Sequence, residues 1–227
     1  LFSDKIFSSA PESFRIKTDK VVFLGHGIDV DILPQTPHIY TGNTLKVVHI
    51  GRITKIKNIE TAILAVEKLK QKGIDVELTL LGSCETNTDE MYKNNLMELI
   101  SEKNLTKNVV FAGGILHNDL STRLKNSHIV VNMTPSGGMD KAVLEALVLG
   151  LPTFSANTAF IKVFAEHTGL FLFGYKDSSE LASKIQNFIS ENSNQQVVTE
   201  LSLKVREDYS LNKLINKICM YMAGNTF

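Results

Sequence analysis

No apolar run in this chain approaches the ~20 residues that a membrane-crossing helix needs. Runs such as Ile129-Val130-Val131 and Phe171-Leu172-Phe173 end after a few positions, so a soluble protein is expected. Cysteine is nearly missing. Cys84 and Cys219 are too few and too far apart for a disulfide framework or a metal motif, and two thiols fit a reducing compartment, the cytoplasm. None of the six histidines has zinc-ligand spacing, so no metal held by side chains is expected. Nor is there an excess of either charge. With 24 basic against 24 acidic residues, the chain has no global field to attract nucleic acid, and any anion site must be local. Repeats and low-complexity tracts are absent. The chain opens on Leu1 and lacks a basic start followed by an apolar segment and cleavage site. It reads as a fragment whose upstream part is missing.

What is present is alternation. Short β-rich runs at 20–24, Leu45–Ile50, Val76–Leu81, 108–112, 128–133, 152–155 and 170–173 are separated by helical spacing, such as Ile59, Ala62, Ile63, Val66 and Leu69, or Leu96, Leu99 and Ile100 before Leu105. Strand then helix, repeated, predicts an α/β fold: a Rossmann-like, doubly wound parallel sheet covered on both faces. After Phe173 only helices are predicted, over 179–189, 197–209 and Leu211–Met222, with 190–196 a loop. The opening segment, with Phe7-Ser8-Ser9-Ala10 and Ser13-Phe14-Arg15-Ile16, does not fit the alternating unit. Residues 1–24 are therefore read as the remnant of an earlier domain and its connection, and 25–227 as the main domain, entered through the turn Gly25-His26-Gly27-Ile28-Asp29.

The richest stretch is Pro135-Ser136-Gly137-Gly138-Met139-Asp140-Lys141, which runs into an apolar helix from Ala142 to Leu149 closed by Gly150-Leu151-Pro152. A glycine-rich approach to a helix leaves backbone N–H groups to face an anion. One acid, Glu145, stands inside that helix. A carboxylate among apolar neighbours must find water, a cation or a ligand's hydroxyls, because burying it unpaired is costly. Alternatively Glu145 is a surface partner of Lys141, four residues earlier, in the weaker of the two orders for such a pair.

In an open parallel sheet, ligands bind outside the carboxyl ends of the strands. Gly51-Arg52, Gly82-Ser83, Gly113-Gly114 and the Ser136-Gly137-Gly138 loop each follow a predicted strand and fall on that one edge. Glycine there lets backbone approach a phosphate or a base, although each taken singly is a common turn residue. Arg52 and Lys57 follow the strand ending at Ile50. Guanidinium and ammonium could grip a diphosphate from two sides, or both could be solvated like their neighbour Lys55.

Gly51-Arg52-Ile53-Thr54-Lys55-Ile56-Lys57, the Gly25 to Asp29 turn, Phe111-Ala112-Gly113, Pro135-Ser136 and Leu144-Glu145-Ala146-Leu147 before Gly150-Leu151-Pro152 resemble the donor-binding half of the family 4 retaining glycosyltransferases, which have the GT-B fold. The resemblance runs from about residue 20 to the end of the chain. It implies retaining transfer of a sugar from a nucleotide-sugar donor, in a cleft between two Rossmann-like domains, without a required metal or further cofactor. Arg52 and Lys57 would hold the diphosphate as catalytic groups, with Gly51 beside them. Glu145 would bind the ribose hydroxyls, Gly114 and Ile115 the base through backbone, and Gly138, Met139, Asp140, Lys141 and Ala142 the rest of the donor. Further partners implied are a sugar or glycolipid acceptor and the N-terminal domain of the same chain. Contact with the inner face of a membrane is left open, since surfaces for a lipid-linked acceptor belong to the other domain.

Two positions depart from the family's pattern. Gly137 stands where a second acid, eight residues before Glu145, usually touches the transferred sugar, and Asp140 replaces a small glycine. Asp140 could cap the N–H groups of Ala142 or Val143 and repel a diphosphate, or turn toward the sugar and replace the missing acid. Rival readings are a sugar-nucleotide epimerase or phosphorylase of the same fold and a non-catalytic nucleotide-sugar-binding domain. A dehydrogenase is disfavoured, because Val30 stands where the third glycine of Gly-x-Gly-x-x-Gly belongs.

Overall fold

Two three-residue strands, β1 (Ile6–Ser8) and β2 (Val21–Phe23), pair in parallel with Ile6 opposite Val21. Five more strands form the main sheet: β3 (Leu45–Ile50), β4 (Val76–Leu81), β5 (Val109–Gly113), β6 (Ile129–Asn132) and β7 (Thr153–Ser155). All are parallel, in the order β5-β4-β3-β6-β7. The computed structural model describes residues 3–9, 11, 14, 16–36, 38–135, 137–191 and 194–223. Of the positions named above, Leu1, Ala10, Ser13, Arg15, Ser136 and 192–193 in the expected loop lie outside the described residues.

The central strands are buried on both faces, as β-branched runs between two helical layers must be. Val47, Val48 and His49 of β3 and every residue of β6 and β7 are buried. Helix α1 (Glu60–Gln71) turns Ala62, Ile63, Val66 and Leu69 inward. Helix α2 (Asn87–Glu102) buries a narrower stripe, Tyr92, Leu96 and Ile100, and starts from a capping box in which Thr86 and Asp89 each accept the other's backbone N–H. After the short α3 (Leu120–Leu124) comes α4 (Lys141–Val148), with six of its eight residues buried. No described helix is long and apolar enough to cross a membrane.

The apolar run at 170–173 is not a strand. Residues Thr168–Phe171 form a helical turn, α6, following another, α5 (Ile161–Phe164), and only Leu172 bridges β7. The helical turn carries the Phe171 ring to within 5.3 Å of Phe164 and 5.6 Å of Phe154. Closing that aromatic cluster outweighs one more edge strand.

The last helices are α7 (Ser178–Ser190), α8 (Asn194–Asp208) and α9 (Leu211–Met222). The first packs beside α1 and the second beside α4. Arg206 of α8 donates to the carbonyls of Val30, Leu33 and Val148, fastening the Gly25 segment to the end of α4. Helix α9 returns to the opening strands, with Leu211 and Leu214 against Gly27 and Tyr221 against Phe7.

Two loops of the carboxyl edge touch at Gly82. A Cβ there would stand 1.8 Å from the Gly51 carbonyl oxygen, so only glycine lets the loops after β3 and β4 meet. Gly82→Ala is expected to lower stability by about 1–3 kcal/mol through overpacking, read from chemical denaturation. An unchanged midpoint would show that these loops are not in contact.

Candidate functional site

The strand order reverses between β3 and β6, and this is where an open parallel sheet leaves a crevice at its carboxyl edge. The ladder between them covers only Val47 with Ile129 and Val48 with Val130. Beyond it the strands part. The segment after β3 passes Gly51 and Arg52 into a single 3₁₀ turn, Lys55–Lys57, and the segment after β6 passes Thr134 to Asp140 at the start of α4.

Lys57 and Asp140 close across this gap. The Lys57 ammonium donates to Asp140 Oδ2 at 2.7 Å, to Oδ1 at 2.9 Å and to Thr134 Oγ1 at 3.3 Å. The two side chains are only 13% and 24% exposed. Asp140 Oδ2 also accepts from Asn132 Nδ2 at 2.7 Å and from Thr134 Oγ1 at 2.8 Å. The network continues sideways. Ser155 Oγ donates to Asn132 Oδ1 and accepts from the Asn157 backbone, while Asn157 Nδ2 donates to the Gly138 carbonyl. Burial alone would raise the Asp140 pKa, but the charge of Lys57 and the hydrogen bonds from Lys57, Asn132 and Thr134 override it and hold the carboxyl below its ordinary range.

Of the two expectations for Asp140, helix capping by its carboxylate is not what forms. Its backbone is the N-cap of α4, and Val143 N donates to its carbonyl, yet its side chain makes no cap bond. A charge-assisted pair with an ammonium is stronger than a neutral N–H donor. The start of α4 is therefore not occupied by this carboxylate.

Beneath the pair lies His49, fully buried in β3. Its Nδ1 faces the Val131 carbonyl at 3.4 Å, and its Nε2 is buried without a partner among the described residues. Burial, then the charge of Lys57, pushes its pKa down to about 4. Gly51 has φ +144°, and a Cβ there would sit 3.3 Å from Lys57 Cε and 3.7 Å from both Lys57 Nζ and His49 Nε2. A side chain would fill the space these groups share. His26 reaches the same corner from the Gly25 turn, hydrogen-bonding the backbone at Met139, and its burial lowers its pKa. His26 lay within the Gly25 to Asp29 turn but was not itself named as a site residue, and His49 carried no motif, its only signal being a polar residue in an apolar strand.

The remaining residues named from sequence divide. Arg52 is not in the Lys57 network: its guanidinium pairs with Glu85 at 2.7 Å, both side chains more than half exposed. Glu145 is buried, its side chain 8% exposed, with Lys141 Nζ at 3.6 Å. The four-residue pair thus exists, but its acid faces inward rather than lying on the surface. Gly114 lies against Ser83 of the neighbouring loop, and Ile115 and Met139 pack on the core. Ala142 is half-buried. At Gly137 a Cβ would meet only the Pro135 carbonyl, at 3.9 Å, so sterics do not forbid a longer side chain.

Acid should loosen this site. The folded-state pKa of His49 is depressed from 6.5 to about 4, so its contribution is complete above pH 6.5 and is lost as pH falls toward 4, by up to about 3 kcal/mol. Asp140, also depressed, loses its contribution as pH falls through the carboxylate range. Between pH 6.5 and 4, His49→Leu is expected to flatten the fall in unfolding midpoint relative to the wild type. Parallel curves for the two proteins would contradict the assignment.

Residues 38–204 match the model of the family described as Glycosyl transferases group 1. Among curated proteins, a glycosyltransferase of Methanocaldococcus jannaschii is 32% identical over 110 residues, covering 48% of this chain and 25% of that protein. The capsular polysaccharide biosynthesis glycosyltransferase CapM of Staphylococcus aureus is 26% identical over 192 residues, 78% of this chain and 48% of that one. Among solved structures, Anabaena HepE, in complex with UDP and glucose, superposes with a TM-score of 0.79 at 17% identity, over 91% of this chain and 58% of that one. Sucrose-phosphate synthase from Thermosynechococcus elongatus gives the same score at 18% identity, over 91% and 53%. The chain thus spans less than half of these curated relatives and just over half of the solved chains. With a family match that begins ahead of β3 and runs into α8, the chain belongs to the group 1 glycosyl transferases.

Proposed function

We propose that the chain is the donor-binding part of a retaining, family 4-type glycosyltransferase that takes its sugar from a nucleotide sugar. The observation that carries this is the Lys57–Asp140 pair at the switch point. A largely buried ammonium is held there by two carboxylate oxygens, and a diphosphate offers the same pattern of anionic acceptors. HepE has been solved with UDP-glucose, and TarM of S. aureus with UDP; both resemble this chain in fold, which makes a uridine diphosphate sugar the first donor to test.

In this reading Lys57 neutralises charge growing on the departing nucleoside diphosphate, which is where an enzyme's fixed charges do most for rate. Arg52 joins it by leaving Glu85, an exposed pair worth at most about 1 kcal/mol. The N–H groups at the start of α4, beside Gly138 to Ala142, face the phosphates. Glu145, one turn further in, accepts from the ribose hydroxyls, and the backbone of Gly114 and Ile115 meets the base. With Gly137 in place of an acid, Asp140 receives the sugar hydroxyls once the diphosphate takes over Lys57. No metal or other cofactor enters the scheme.

Residues 1–24 belong, in the same proposal, to an acceptor domain. Strands as short as β1 and β2 need further partners for stability. That domain closes the cleft and binds a sugar or glycolipid acceptor, with the protein in the cytoplasm or at the inner face of a membrane. The second reading, a domain that binds nucleotide sugar without transfer, is favoured by Gly137, which leaves the usual acid position without a carboxylate.

Substitution separates the roles. In the intact protein, Lys57→Ala is expected to lower the transfer rate by about 10²–10³, the scale for removing one group that stabilises developing charge. Glu145→Ala should weaken UDP binding by about tenfold, the loss of a hydrogen bond to a charged group, and Arg52→Ala should act less than Lys57→Ala. Calorimetry and steady-state rates read these effects. Wild-type affinity and turnover in all three variants would contradict the proposal, and tight donor binding with no transfer by the wild type would support the second reading.

A further inference from the structure

His49 has no place in the scheme above, yet it is built at some cost. It is fully buried at the carboxyl end of the central strand, and its Nε2 has no hydrogen-bond partner among the described residues. A buried polar atom left unsatisfied normally costs stability, and native proteins keep few of them without a use. A leucine or phenylalanine would fit the apolar character of β3 better.

Three features define what this nitrogen faces. Among the described residues Nδ1 has the Val131 carbonyl as its hydrogen-bond partner, an acceptor, so Nδ1 carries the proton and Nε2 presents a bare lone pair. Lys57 Nζ and His49 Nε2 each lie 3.7 Å from the same point, where a Cβ on Gly51 would stand. Gly51 leaves that point empty, and its φ of +144° suits glycine rather than any L side chain. The ammonium donates to Asp140 and Thr134.

We infer that His49 is a positioning residue for Lys57, its Nε2 being the acceptor that receives one ammonium N–H when the ammonium is released from Asp140. This rests on the donor-binding reading. An incoming diphosphate competes with Asp140 for Lys57, and a flexible lysine freed of its carboxylate would lose its aim. A fixed lone pair behind it keeps one N–H occupied and points the other two outward. The neutral imidazole suits the task, because its low pKa leaves the lone pair bare at physiological pH. A carboxylate in the same place would compete with the phosphates for the positive charge.

Two measurements test the inference, and the first needs no turnover. In protein labelled with ¹⁵N-histidine, the Nε2 resonance of His49 should be that of a bare acceptor. It should shift toward the hydrogen-bonded range in Asp140→Ala, and in the wild type on adding UDP. The shift in Asp140→Ala should vanish when Lys57→Met is added. A His49 resonance unmoved in Asp140→Ala, or moved equally without the lysine, overturns the inference.

The second measurement is kinetic. His49→Leu should keep or raise the unfolding midpoint at pH 7, since it removes an unsatisfied polar atom, while lowering kcat about tenfold, the lower end of the effect of groups that orient a working ligand. KM for the donor should stay within about twofold, as expected when the loss falls on the transition state. His49→Gln, which can again offer an acceptor, should recover most of the rate. Wild-type kcat in His49→Leu, or equal loss of rate and stability in both variants, overturns the positioning role. If the wild type neither binds UDP nor transfers from any nucleotide sugar, the donor-binding reading fails, and the resonance of Asp140→Ala still decides whether His49 receives Lys57.

Discussion

One ion pair organises the carboxyl edge of this protein. Lys57 arrives from the turn after β3 and Asp140 from the start of α4, and their bond spans the gap where the two halves of the sheet diverge. Taking both charges largely out of water is unfavourable by itself. Asn132 and Thr134 offset it by donating to the same carboxylate, and Ser155, itself bonded by the Asn157 backbone, holds Asn132 in place. A pair so supported fixes both loops.

That arrangement explains several neighbours. Gly82 is glycine because the loops after β3 and β4 must touch, and Gly51 because its backbone turn leaves space between Lys57 and His49. Arg206 holds the other end of α4 to the Gly25 segment, so the helix whose first turn carries Asp140 is anchored at its last turn as well. A separate hollow of about 400 Å³, lined by Tyr40, Asn43, Lys46, Lys125 and His128, opens at the amino end of the strands, away from these groups.

Much of the fold was legible because strand and helix periodicities differ. Leu45–Ile50 and Val76–Leu81 fall within the strands as read, and the inward residues of α1 were those spaced three and four apart. The run at 170–173 misled because an apolar string fits a strand as well as a helical turn, and the choice depended on phenylalanines up to 17 positions away. At the site, residue types were legible but pairing was not. Asp140 looks like a helix cap in sequence, and nothing local reveals that Lys57, 83 residues away, outbids the helix for its carboxylate. Arg52 was grouped with Lys57 by proximity along the chain, whereas its guanidinium reaches Glu85 instead. His49 was hidden for the opposite reason, since a lone histidine in a buried strand has no pattern to betray it.

Membership of the group 1 glycosyl transferases gives sugar transfer as the chemistry of the family, and on the proposed function Lys57 passes from Asp140 to the donor's diphosphate. A crystal structure of the intact protein with UDP tests this most directly. Lys57 Nζ is expected within hydrogen-bonding distance of a β-phosphate oxygen, with its bond to Asp140 broken. UDP bound elsewhere, or bound with the Lys57–Asp140 pair intact, would contradict it.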